Sequence, residues 1–207
     1  MLINNKEPLF MMQDSWVKYY NYEAIYCGIC LSVLLLLVDS KFTFLLITLY
    51  FITFLLNMND EYYIYFYDDK ILYNQLNNVT AGFLTKHKYM DIANVSSLKI
   101  YRYFYGISNN KKPMKNNFFK FLEIIFSYLS GIFMFFFPKI LYLLGKSKYK
   151  NTNALIIVDE NTYEYIVVIL SMLDDSEIKS LNSYLIEKFG IDLDSIETKN
   201  FFINFNY

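Results

Sequence analysis

Two apolar runs separated by three polar residues constrain this chain more than any other feature. Residues 24–38 read AIYCGICLSVLLLLV and residues 42–56 read FTFLLITLYFITFLL, with Asp39, Ser40 and Lys41 between them. Neither run carries an ionised side chain. A helical run of about 15 residues covers about 22 Å, short of the ~30 Å hydrocarbon core of a bilayer. Trp16, Tyr19 and Tyr20 precede the first run, and aromatic side chains there extend a helix into the headgroup region as interfacial anchors. The expectation is a transmembrane helical hairpin over residues 24–57, entered from an interfacial segment over residues 1–23. The order of a cleaved signal sequence, basic leader then apolar stretch then small residues, is not followed. Mixed residues come first, and Val38-Asp39-Ser40-Lys41 reads as a turn.

Because that turn is too short to hold a domain, residues 58–207 and the N-terminus share one side of the membrane. Lys70, Lys86, Lys88, Lys99, Arg102, Lys111, Lys112 and Lys115 follow the hairpin, against one lysine in its turn. Positive-inside counting places the lysine-rich side, and with it the bulk of the chain, in the cytoplasm.

From residue 62 the pattern becomes strand-like. Tyr62–Tyr67 and Ile71–Asn74 flank a turn at Asp68-Asp69-Lys70, Phe83–Tyr89 and Ser97–Phe104 continue the meander, and residues 106–117 are loop by composition. Ala154–Val158 and Tyr163–Leu170 form a second hairpin about Asp159-Glu160-Asn161. Asp174 with Glu177 three residues on reads as a capping box. Ile178, Leu181, Leu185 and Phe189 form one apolar stripe, and Gly190 stops the helix. Two strands and a helix are marginal alone, so they are expected to complete one sheet with residues 61–105.

Residues 118–144 interrupt this domain with an apolar core, Ile124–Phe137, of about 14 residues. That length favours a re-entrant, interfacial or buried helix over a full crossing. Lys111, Lys112, Lys115 and Lys120 lie before it and Lys146, Lys148 and Lys150 after it. Lysines on both flanks suit a segment returning to the same leaflet, and these seven are the candidate membrane-surface contacts. Ordinary positive-inside topology accounts for them about as well.

Candidate chemistry is sparse. A single histidine, His87, excludes a histidine-based zinc site within one copy. Cys27 and Cys30 have the spacing of a redox or metal pair, yet two small lipid-compatible residues on one helix face explain them more simply. No nucleophile elbow, dinucleotide fingerprint or phosphate loop occurs, and no cofactor is implied. The pairs Asp60-Glu61, Asp68-Asp69, Asp159-Glu160 and Asp174-Asp175 fall where turns or caps are expected. Glu123 reads as a helix-start carboxylate near Lys120, and Lys86-His87-Lys88 as a solvated strand face. A net charge of −1 gives no general attraction to nucleic acid, so no nucleic-acid partner is expected.

A membrane hairpin, a β-meander opening Y-x-I-Y-F-Y-D-D-K-I-L-Y-N, a closing hairpin and a final amphipathic helix together resemble the bacterial PH-like (YcxB-like) membrane proteins. The resemblance covers roughly residues 24–105 and 154–189. It implies an α+β membrane protein: an antiparallel, partly open β-barrel capped by a C-terminal helix, used as a platform for proteins or lipids. The hydrophobic insertion at 118–144 departs from that pattern. The expected function is a non-enzymatic integral inner-membrane protein whose cytoplasmic PH-like domain binds a protein or lipid headgroup. The alternative is a membrane-resident immunity protein that neutralises a toxin acting at that membrane. Expected partners are membrane lipids, a protein or toxin, and in oligomeric form a second copy.

Overall fold

Residues 7–36, 48, 62–75, 86–103, 117–162 and 164–201 are described by the computed structural model. Their organisation follows from one strand that is apolar on both faces. Strand β6, Ala154–Asp159, reads ALIIVD, and five of its six residues are buried. Successive side chains of a strand point to opposite faces. Leu155 and Ile157 accordingly enter one hydrophobic cluster, while Ala154 and Ile156 enter another. A strand without polar alternation belongs in a middle layer.

The strands form two four-stranded sheets, and β6 lies inside the second. The first has the order β1 (Phe10–Gln13), β2 (Tyr63–Phe66), β3 (Lys70–Gln75) and β4 (Lys86–Asp91), all antiparallel. The second has the order β7 (Tyr165–Ile169), β6, β5 (Val95–Tyr103) and β8 (Thr198–Phe201). There β6 pairs antiparallel with β5 and β7, whereas β8 pairs parallel with β5. The 3₁₀ turn Ile92–Asn94 carries the chain from one sheet to the other.

Between the sheets, Met12, Ile64, Phe66, Ile71, Tyr73 and Met90 of the first meet Ile100, Leu155, Ile157, Ile166 and Val168 of the second. The terminal helix, Asp175–Phe189, adds Ile178, Leu181, Tyr184 and Leu185 to this core. Its ends are as the sequence indicates: the Asp174–Glu177 capping box is formed, and Gly190 closes it with a left-handed φ of 66°. Phe66 stacks on Phe10 with centroids 4.3 Å apart, and the Tyr184 hydroxyl donates to the Tyr67 carbonyl at 3.0 Å.

The opposite face of the second sheet is covered by two long helices, α1 (Ser15–Leu36) and α2 (Asn117–Leu143). Tyr19 and Phe133 are buried there against Tyr101, Ala154, Ile156, Ile169 and Met172. The layers are thus helix pair, mixed sheet, antiparallel sheet, with the terminal helix, α3, entering the inter-sheet core.

This architecture corrects the expected transmembrane hairpin with an antiparallel PH-like domain. No helix among the described residues is long and apolar enough to cross a membrane. The reason in α1 is that Lys18, Asn21 and Glu23 occupy its first half, which packs on the sheet. The apolar remainder within the described residues is Ala24–Leu36, about 20 Å of helix. In α2, Glu123 and the Pro138-Lys139 pair bound a similarly short apolar stretch. The expected second run, residues 42–56, and the turn at 39–41 lie outside the described residues apart from Thr48, which is helical. The strands also divide between two sheets where one was expected, and β8 makes the second sheet mixed. Within residues 1–23, Phe10–Gln13 is a strand paired with β2.

Ile156→Ala and Ile157→Ala are each expected to lower stability by about 2–5 kcal/mol in urea unfolding, because both neighbours lose packed contacts. In a sheet with one solvated face, one of the two would be nearly silent.

Candidate functional site

The helix layer carries the residues of greatest functional interest, and its anchoring is polar as well as apolar. Asp14, only 4% exposed, caps α1: its Oδ1 accepts the amides of Trp16 and Val17 at 3.1 and 3.3 Å. The neighbouring Ser15 hydroxyl accepts the Ile169 amide of β7 at 2.8 Å, tying the helix start to the sheet. Burial pushes the Asp14 carboxyl up to about 6, partly offset by those amide bonds.

Pro138 lies inside α2 and has no N–H to give the carbonyl four residues earlier. That carbonyl belongs to Met134, and the Thr152 hydroxyl donates to it at 3.0 Å. Thr152 is wholly buried just before β6, and its own carbonyl accepts the Ser171 hydroxyl at 3.0 Å. A gap made by proline in one element is closed by a side chain of another. Along the α1–α2 seam the Ser130 hydroxyl donates to Glu23, whose carboxyl burial pushes above its usual range.

Cys27 is buried on the same seam. Burial, then the Glu23 carboxylate and Cys30, push its thiol up to about 12. A thiol so held stays protonated near neutral pH, opposite to the lowered value of a reactive or ligating cysteine. Both cysteines are free, and no group of three side chains suited to holding a metal occurs among the described residues.

Outside this seam the same helices are apolar again. On α2 the residues Ile124, Tyr128, Ile132, Phe136, Ile140 and Leu143 recur at helical spacing and are exposed, Tyr128 to 73% and Leu143 to 82%. Ile29 and Val33 of α1 are exposed as well. A helix apolar on its outer as well as its inner stripe is not what a water-facing layer requires. In the apolar half of α1, the Ser32 hydroxyl is satisfied by the Gly28 carbonyl at 2.7 Å.

The anticipated contact residues are placed unequally. Lys146, Lys148 and Lys150 follow α2 and are exposed. Lys148 turns to Asp194 at 3.4 Å, and the Lys150 ammonium lies 4.9 Å from the centre of the Tyr142 ring. Lys111, Lys112 and Lys115 lie outside the described residues, and of Lys120 only the helical backbone is described. Among the expected anchors, Trp16 is half-buried and stacked on Tyr19 with centroids 6.3 Å apart. Tyr19 is 3% exposed and meets Phe133 edge-on, inside the protein. The side chain of Tyr20 is outside the described set. Lys139, expected only to break the apolar run with Pro138, has its ammonium 3.1 Å from the Phe135 ring centre and 5.8 Å from that of Phe136.

The described carboxylate pairs take structural roles. Asp159 accepts the amides of Asn161 and Thr162 in the β6–β7 turn, Asp174 caps α3, and Asp68 pairs with Lys188. Glu164 binds Lys88 and accepts the Tyr73 hydroxyl at 2.9 Å. Neither a protein-family model, nor a curated protein, nor a solved structure matches this chain.

Thr152→Val keeps shape but strands the Met134 carbonyl, and is expected to cost about 1–3 kcal/mol in urea unfolding, where Thr152→Ser costs less. A second expectation concerns pH. The Asp14 carboxyl titrates at its ordinary 3.8 in the unfolded chain and at about 6 in the folded one, so between those values only the folded chain holds the proton. Its contribution is complete below about pH 4 and is lost as pH rises through about 6, on the order of 3 kcal/mol in all. Asp14→Asn retains an accepting oxygen and should flatten the fall in stability across that window. Parallel curves for the two proteins would remove this role for Asp14.

Proposed function

We propose that this chain is a non-enzymatic binding module attached to the cytoplasmic leaflet of a bacterial inner membrane. Its helix layer lies in the leaflet without crossing it, and the two-sheet body engages a protein or a lipid headgroup from the cytoplasmic side. The supporting observation is the second apolar stripe of α2. Phe133 and Phe137 already satisfy the packing of the inner stripe, whereas Tyr128, Ile132, Phe136 and Leu143 face outward. An amphipathic layer seated in an interface buries such a stripe and is stabilised further by basic side chains near anionic headgroups. The capping, turn and ion-pair roles of Asp14, Asp159, Asp174 and Glu164 support a structural use of the carboxylates over acid–base catalysis.

Fractionation of expressing cells tests this attachment. The full chain should sediment with membranes, resist a high-salt wash and enter the supernatant with mild detergent. Ile132→Glu together with Leu143→Glu, both on the outer stripe, should shift a folded protein toward the supernatant. Recovery of the unaltered chain in the soluble fraction without detergent would overturn the reading.

A further inference from the structure

The C-terminal half of the outer stripe carries positive charge beside its apolar side chains. Phe136, Ile140, Leu143 and Leu144 are exposed, the last to 63%, and two lysines lie against aromatic rings beside them. Lys139 sits one turn after Phe135 and covers its ring. Lys150 is brought back by the helix end. Gly145 adopts φ 69°, its amide bonds to the Tyr142 carbonyl at 3.0 Å, and the Lys146 amide bonds to the Leu141 carbonyl at 2.9 Å. This reversal sets Lys150 over Tyr142 and leaves Lys146 exposed at the turn. Among the described residues no carboxylate pairs with Lys139, Lys146 or Lys150, whereas Lys148 is engaged by Asp194.

From this arrangement we infer that the C-terminal end of α2 is an anionic-phospholipid docking surface. Phe136, Ile140, Leu143 and Leu144 enter the acyl boundary, and Lys139, Lys146 and Lys150 meet headgroup phosphates. The inference rests on the leaflet attachment proposed above and adds lipid selectivity and the end of the helix that carries it. The faces of Phe135 and Tyr142 hold the Lys139 and Lys150 ammonium groups at the edge of the apolar surface. Charge complementarity decides the occupant: an apolar protein partner needs no cluster of unpaired cations at the rim, whereas an anionic leaflet rewards each one.

Binding of the full-length protein to vesicles separates the outcomes. Vesicles of phosphatidylcholine alone are compared with vesicles holding about one third phosphatidylglycerol, and each lysine is expected to contribute about fivefold to the preference for the latter. The variant Lys139→Gln/Lys146→Gln/Lys150→Gln should lose on the order of 100-fold on anionic vesicles and little on neutral ones. Leu143→Asn/Leu144→Asn should weaken binding to both. An unchanged thermal unfolding curve for each variant excludes a folding defect. Equal binding of the unaltered protein to both vesicles overturns the selectivity and leaves the attachment intact. A persistent anionic preference in the triple variant places the charge elsewhere and overturns the assignment to this helix end. Sedimentation with native membranes but with neither vesicle points to a protein on this face and overturns both readings.

Discussion

A strand that is greasy on both sides has to be covered twice, and the rest of the molecule is arranged to do that. Leu155 and Ile157 face the antiparallel sheet and α3, while Ala154 and Ile156 face α1 and α2. Each fully buried aliphatic side chain is worth about 1.5–3 kcal/mol over exposure, so neither cover is dispensable. The helix pair is therefore an integral layer of the fold, and its first obligation is to protein. That obligation explains why Tyr19 is buried and why α1 devotes its first half to the sheet.

Polar contacts fix where the helices sit. The Ser15 hydroxyl takes the Ile169 amide, Thr152 supplies the donor that Pro138 lacks, and Ser130 meets Glu23 across the helix seam. Buried polar groups must find partners, and each of these partners comes from another element of the chain. Apolar packing alone tolerates sliding; these bonds set register. With the inner stripe committed in this way, the outer stripe of α2 has one orientation only, and Lys139 and Lys150 lie against aromatic rings at its C-terminal end.

Much of the strand meander was legible because its determinants are local. The Asp159 turn and the Asp174 capping box each rest on side chains within three residues of the backbone they satisfy. The apolar stripe of α3 was equally readable from its spacing. Long-range pairings were not. Phe10–Gln13 becomes a strand only by meeting Tyr63–Phe66, and Thr198–Phe201 only by lying parallel to β5, with no alternation in either to announce it. The helix layer was misread for a different reason. Hydropathy reports that a segment avoids water, and a surface facing a sheet registers just as one facing lipid does. The run from Ala24 therefore resembled a membrane crossing, although Tyr19 and Cys27 of the same helix are buried in protein. The unalternating ALIIV of β6 was the available signal that such a cover was needed.

Nitroxide scanning along residues 124–144 in the presence of anionic vesicles tests the central claim most directly, with both native cysteines replaced by alanine. The account predicts oxygen accessibility with a helical period, high at Tyr128, Ile132, Phe136 and Leu143 and low at Ser130, Phe133 and Phe137. High oxygen accessibility on every face would mean a helix surrounded by lipid. Access to an aqueous nickel reagent throughout the outer stripe would mean that no bilayer covers it. Either result contradicts a layer bound to its own sheet on one side and to a leaflet on the other.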